Sequence, residues 1–136
     1  TRTAAITGGF VALNMGVNQM LASRSIDSIP EITPVAATSV GILGNQVLVD
    51  LCYEEDSRAG VDLNVVMSGE NAFVEVQGTA EGKIFTKKEL DEMLLLASNA
   101  IQQLLDLDFI HVPTSTLSLS KDSLIIQLIM IFMFVL

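Results

Sequence analysis

Apolar residues recur at three- and four-residue steps near both ends of the first hundred residues and in partial alternation between them. Ile6, Phe10, Leu13, Val17 and Met20 fall on one face of a helix running from Thr3 to about Ser23. Gly8 and Gly9 weaken that helix by about 1 kcal/mol each, and their missing side chains would let it press closely on a sheet. Pro30 and Pro34 mark Ser25 to Pro34 as a loop. Val35 to Leu43 and Gln46 to Tyr53 are β-branched strands, and Gly44-Asn45 between them suits a two-residue hairpin turn. Asp62 to Ser68 and Ala72 to Gln77 form a second pair around Gly69-Glu70-Asn71. Thr86 and Glu89 have the spacing of a capping box, with Phe85 and Leu90 as its staple. Leu90, Met93, Leu94, Ala97, Ile101, Leu104 and Leu105 continue at helical spacing to about Leu107. The pattern predicts an α+β two-layer sandwich: a four-stranded antiparallel sheet with helices covering one face.

The formal net charge of −9 changes the expected partners. A protein acting alone on RNA usually carries a basic footprint. Either the partner is not nucleic acid, or the basic residues lie on sequence outside this chain. Cys52 is the only cysteine, so an internal disulfide and Cys-rich zinc sites are excluded. Its apolar, β-prone surroundings predict a buried small hydrophobe, and a reducing compartment fits. His111 is the only histidine, which leaves histidine triads and His-ligated metals with little support.

From Asp108 the character shifts to Ser- and Thr-rich sequence, then to an apolar run from Leu124 to Leu136 broken only by Gln127. Those 13 residues fall short of the roughly 20 that span a membrane. A foreign end, a partner-covered segment and a membrane anchor all remain open.

Two places carry candidate chemistry. Asp50, Glu54, Glu55, Asp56 and Asp62 crowd the stretch between two predicted strands. Alternation puts Asp50 and Glu54 on one strand face, while a folded loop can bring Asp56 and Asp62 together. A carboxylate pair binds Mg²⁺ through oxygen, or mutual repulsion raises one pKa and makes it a general acid. The competing reading is a solvated loop balanced by Arg58. The second place is Thr1-Arg2-Thr3 at a helix start, where free amides, a hydroxyl and a guanidinium suit an anion. An ordinary N-cap is its alternative.

In order and spacing these segments resemble the ribonuclease PH family. Residues 1–9, TRTAAITGG, are similar to its GGTRTASITGA stretch after the two glycines. Residues 37–42, ATSVGI, resemble AAVSVGI; residues 50–57, DLCYEEDS, match DLxYxEDS; residues 62–67, DLNVVM, match DMNVVM; residues 75–82 match EVQGTAEG throughout. The likeness covers about residues 1–107, and it implies a ribonuclease PH-like sandwich lacking its N-terminal half. Residues 1–34 would end the first segment, 35–107 would form the C-terminal segment, and 108–136 an unrelated hydrophobic tail.

The resemblance implies a phosphorolytic 3′→5′ exoribonuclease, a nucleotidyltransferase. It would trim tRNA precursors, with some rRNA activity, in a homohexameric ring in the cytoplasm with no membrane partner. Thr1 and Arg2 would hold the attacking inorganic phosphate. Asp56 and Asp62 would be the catalytic acid and Mg²⁺ pair, with Asp50 an assisting acid. A non-catalytic exosome-type ring subunit is the alternative, although a scaffold needs none of Arg2, Asp56 and Asp62. The least favoured reading is an acidic interaction domain unrelated to RNA. The lost half would leave this chain inactive alone and exposed at apolar surfaces. A few hundred Å² of such surface favours association by several kcal/mol at about 25 cal/mol per Å². Deleting the residues after Leu107 should therefore improve solubility without restoring catalysis, as read by size-exclusion chromatography with light scattering.

Overall fold

The computed structural model describes residues 2–69 and 71–107. The phosphate-binding expectation for Thr1, and everything expected of residues 108–136, lie outside the described residues. In order, the elements are α1 (Arg2–Ala22), β1 (Val35–Leu43), β2 (Gln46–Val49), α2 (Tyr53–Asp56), β3 (Val61–Ser68), β4 (Phe73–Ala80) and α3 (Lys87–Leu105). The strands form one antiparallel sheet in the order β2-β1-β3-β4. Among the described residues no helix is long and apolar enough to cross a membrane.

Register divides the sheet into two unlike faces. Residues directly opposite one another across an antiparallel ladder project to the same side, and successive residues alternate. One face carries Ala36, Val40 and Ile42 from β1 and Val61, Leu63, Val65 and Met67 from β3. These are at most 3% exposed and pack with Met93, Ala97, Ile101 and Leu105 of α3. The α3 residues sit at steps of four, so a single stripe of the helix meets the sheet. Each fully buried aliphatic side chain contributes about 1.5–3 kcal/mol.

Across β1, β3 and β4 the opposite face is built of three rows: Ala37–Val66–Glu75, Ser39–Asn64–Gln77 and Gly41–Asp62–Thr79. Only the first is apolar at its centre, where Ala37 and Val66 are buried.

The position of α1 differs from that of a helix laid beside α3. Arg2 bonds to Glu75 and Gln77 on the polar face. Thr7 Oγ1 accepts the Ala37 amide at 3.0 Å, on the stretch of β1 that β2 does not reach. Val11 joins the core cluster. The helix thus covers an otherwise open strand edge. Its buried residues are Thr3, Val11 and Asn18, while Leu13 and Met20 stand 53% and 46% exposed. Apolar periodicity pointed to the neighbouring stripe because the inward one is largely polar. A Cβ on Gly9 would meet nothing within 4 Å, so that glycine does not serve a close approach to the sheet.

Turn chemistry explains the hairpins. Leu43 pairs with Gln46, leaving Gly44-Asn45 as a two-residue loop with Gly44 at φ 64°. Gly at the first central position suits the type II′ turn, whose twist matches the strands. The second hairpin turns at Asn71, also at positive φ. Val74 has no partner between the Val66–Glu75 and Met67–Phe73 pairs, and it forms a bulge.

The capping box of α3 forms as the spacing predicts. Thr86 Oγ1 accepts the Glu89 amide at 3.2 Å, and Glu89 Oε2 accepts the Thr86 amide at 2.8 Å. These bonds, with Lys83 nearby, hold the Glu89 carboxyl down at about 2. Thr86→Ala should cost about 1 kcal/mol in urea denaturation at neutral pH. Because the folded pKa is depressed, the cap's contribution stands above the ordinary value of 4.5 and fades as pH falls toward about 2. The gap between Thr86→Ala and the parent should close over that window.

Candidate active site

The acidic stretch folds differently from a continued strand. β2 stops at Val49, and Asp50 turns the chain at φ 57°. Ser39 fixes this corner: its carbonyl accepts the Asp50 amide at 2.8 Å and its hydroxyl accepts the Leu51 amide at 3.0 Å. Asp50 and Glu54 therefore do not share a strand face. The single turn α2 follows, with Glu55 Oε2 accepting the Cys52 amide at 3.0 Å. Cys52 is exposed, contrary to the buried position that its β-prone context predicts, because the strand has already ended. Leu51 folds back over Gly41, where a Cβ would stand 2.7 Å from Leu51 Cδ1 and 2.6 Å from the Val61 carbonyl oxygen. Only a glycine lets the loop settle here beside Asp62, the Gly41 partner in register.

Asp56 closes α2, and Asp62 is the second residue of β3. Partial burial pushes the Asp62 carboxyl above its usual range, and the charges of Asp56 and Glu81 push it the same way. Electrostatics thus joins the two aspartates that spacing singled out. It adds Glu81, which the sequence reading did not single out. The Gly60 carbonyl accepts the Glu81 amide at 3.0 Å, extending the β3–β4 ladder one step past the Val61–Ala80 pair. Glu81 follows Thr79 by two residues and so shares the face of Asp62. Among the described residues Arg58 forms no ion pair with these carboxylates.

Arg2 lies toward the other end of the same face. Its Nη2 donates to Glu75 Oε1 at 2.7 Å and Oε2 at 3.0 Å, and its Nη1 donates to Gln77 Oε1. Gln77 is one same-face step, about 7 Å, from Thr79, the partner of Asp62. The chain therefore mounts a guanidinium and a group of carboxylates on one polar sheet surface.

As a metal site the arrangement is sparse. Among the described residues no three His, Cys, Asp or Glu side chains are grouped so as to hold an ion. Mg²⁺ does not require three, because it commonly binds through one or two carboxylates and completes its shell with water and substrate phosphate. Two mutually repelling aspartates fit that donor set. The cavity of about 450 Å³ lined by Glu31, Pro34, Gly69, Gln102 and Leu105 includes none of these residues.

The raised pKa of Asp62 carries a stability consequence. Asp62 favours the fold when protonated, below the ordinary 3.8, and loses that contribution as pH rises through its folded value. Asp62→Asn removes the charge and keeps the shape. Thermal melts from pH 3 to 8 should show the variant gaining on the parent as pH rises, even though the site loses an acid.

The chain spans less than half the length of the curated relatives it matches. Ribonuclease PH of Syntrophomonas wolfei is 51% identical over 107 residues, covering 79% of this chain and 45% of that protein. Ribonuclease PH of a Synechococcus species is 50% identical over 108 residues, 77% of this chain and 44% of that protein. A solved archaeal exosome core is similar at a TM-score of 0.49 and 26% identity, over 56% of this chain and 30% of its own. The model of the 3′ exoribonuclease family, domain 2, matches residues 33–100, which hold all four strands and most of α3. This chain belongs to the 3′ exoribonuclease family.

Proposed function

We propose that the complete protein is a ribonuclease PH: a phosphate-dependent 3′→5′ exoribonuclease that trims tRNA precursors and releases nucleoside diphosphates. The observation that carries this reading is the shared sheet face of Arg2, held on Gln77 and Glu75, and Asp62, flanked by Asp56 and Glu81. Phosphorolysis calls for that pairing. One anion must be held as the nucleophile, and a second phosphate must lose its 3′ oxygen. An oxygen of inorganic phosphate bonds to the last phosphodiester phosphorus, the bond to the 3′ oxygen breaks, and that oxygen leaves with a proton.

Arg2, with Thr1, holds and orients the phosphate. Free N–H groups of the guanidinium meet its oxygens, which turns a collision into a positioned encounter. Asp56 and Asp62 act at the leaving oxygen. A carboxyl pushed above its usual range is the better proton donor there. Asp56 and Asp62 are also the residues that would hold Mg²⁺, which when bound neutralises phosphate charge. On this reading the basic RNA-contacting surface belongs to the remainder of the protein, which accounts for a net charge of −9 on this part. We place the whole in a hexameric ring in the cytoplasm, with residues 35–107 as its C-terminal segment.

In an assay of the complete protein, RNA should shorten from its 3′ end only when phosphate is present, with nucleoside diphosphates separated by chromatography. Asp56→Asn and Asp62→Asn should each remove most turnover, on the order of 10²-fold or more. Arg2→Ala should raise the phosphate requirement. Nucleoside monophosphates formed without phosphate would mean hydrolysis and would end this reading.

A further inference from the structure

We propose that Glu75 and Gln77 are positioning residues for Arg2, fixing its guanidinium so that its free N–H edge presents to phosphate. This inference rests on the reading of Arg2 as the phosphate-holding cation. Arg2 is the first residue of α1, and its long side chain has many rotamers to choose from. Its side chain is 51% exposed, yet it is held at both terminal nitrogens. The two acceptors are two residues apart on one strand and project from one face, so they bond to different nitrogens of a single guanidinium. A planar fork gripped at two points has its plane fixed as well as its position.

Donor count shows what remains. A guanidinium has five N–H groups, and β4 takes at most three of them. At least two stay available to an oxyanion. Ser39, Asn64 and Gln77 form one row and Gly41, Asp62 and Thr79 the next, so the grip on Gln77 holds the cation one row from Asp62. A simple surface ion pair predicts something different, because exposed pairs contribute little to stability and nothing to phosphate affinity.

Steady-state kinetics on the complete protein, with phosphate and RNA varied separately, separate the two. Glu75→Ala and Gln77→Ala should each raise the KM for phosphate about tenfold, with kcat within about twofold and melting temperature unchanged. Glu75→Gln keeps an acceptor oxygen and should stay near the parent value. In an Arg2→Ala background neither alanine change should raise KM further, since the positioned group is gone. If both alanine variants leave the phosphate KM unchanged while Arg2→Ala raises it, the positioning role falls and the phosphate site stands. A lowered KM in Glu75→Ala would make Glu75 a competitor of phosphate and overturn the proposal. No effect of Arg2→Ala on the phosphate KM would overturn the proposal together with the reading beneath it.

Discussion

The antiparallel register of β1, β3 and β4 is the constraint on which both the core and the site depend. Eight consecutive pairs join Val35–Ile42 to Val61–Ser68. Their parity sends Val61, Leu63, Val65 and Met67 toward α3 and sends Asp62, Asn64 and Val66 the other way. A slip of one residue would exchange these sets. It would expose aliphatic side chains worth about 1.5–3 kcal/mol each and would drive a carboxylate into an apolar layer, at a cost of several kcal/mol more. The burial that stabilises the sheet is therefore also what aims Asp62, and through the β3–β4 pairs Glu75, Gln77 and Thr79, at a common surface. No separate device has to orient the acid.

Two backbone anchors then bring the loops onto that surface. Ser39 takes the amides of Asp50 and Leu51, so the chain leaving β2 turns back over the sheet. Gly60 donates to the Ile42 carbonyl, while its own carbonyl accepts the amides of Glu81, Gly82 and Lys83. Gly60 acts through main-chain atoms alone and Ser39 through its carbonyl and its short hydroxyl, and such groups hold a loop more rigidly than long exposed side chains do. The missing Cβ at Gly41 is as necessary as either bond, because Leu51 and the Val61 carbonyl occupy the space it would fill.

Much of the fold was legible in the sequence because local signals and burial agree there. The bounds of β1 coincide with the β-branched run, and the α3 cap forms where Thr86 and Glu89 announce it. Legibility failed where a tertiary neighbour decides the outcome. Gln46 to Tyr53 looks like one strand, but Ser39 ends it at Val49, and Ser39 lies on another strand. The exposure of Cys52 follows from that early end. α1 turns a stripe containing Thr3 and Asn18 inward, since what it covers is partly a strand edge with an unpaired amide, and Thr7 answers that need where leucine could not. Of the site, the Asp56–Asp62 pairing could be read from a short loop. Glu81 and the hold of β4 on Arg2 could not, because each depends on a register that only the assembled sheet defines.

The charge arrangement explains why such a face tolerates its own repulsion. Asp56 and Glu81 oppose the ionisation of Asp62, so this end of the surface carries a standing cost that no ion pair with a described lysine or arginine relieves. At the other end Arg2 spends part of its charge on Glu75. On the proposed reading these are complementary demands. The acidic end gains when a cation or a shared proton arrives, and the arginine end gains when an anion does. Substrate phosphates and the ions that accompany them supply both. Along β4 the Arg2 partner Gln77 and the Asp62 partner Thr79 are one same-face step apart, about 7 Å, so the guanidinium bonds to β4 and not to the acids. If Arg2 were instead bonded to Asp62, each charge would be satisfied within the chain, leaving the arginine less to offer an anion and the acid less to offer a cation or proton. Glu75 and Gln77 prevent that collapse by holding the guanidinium one row away.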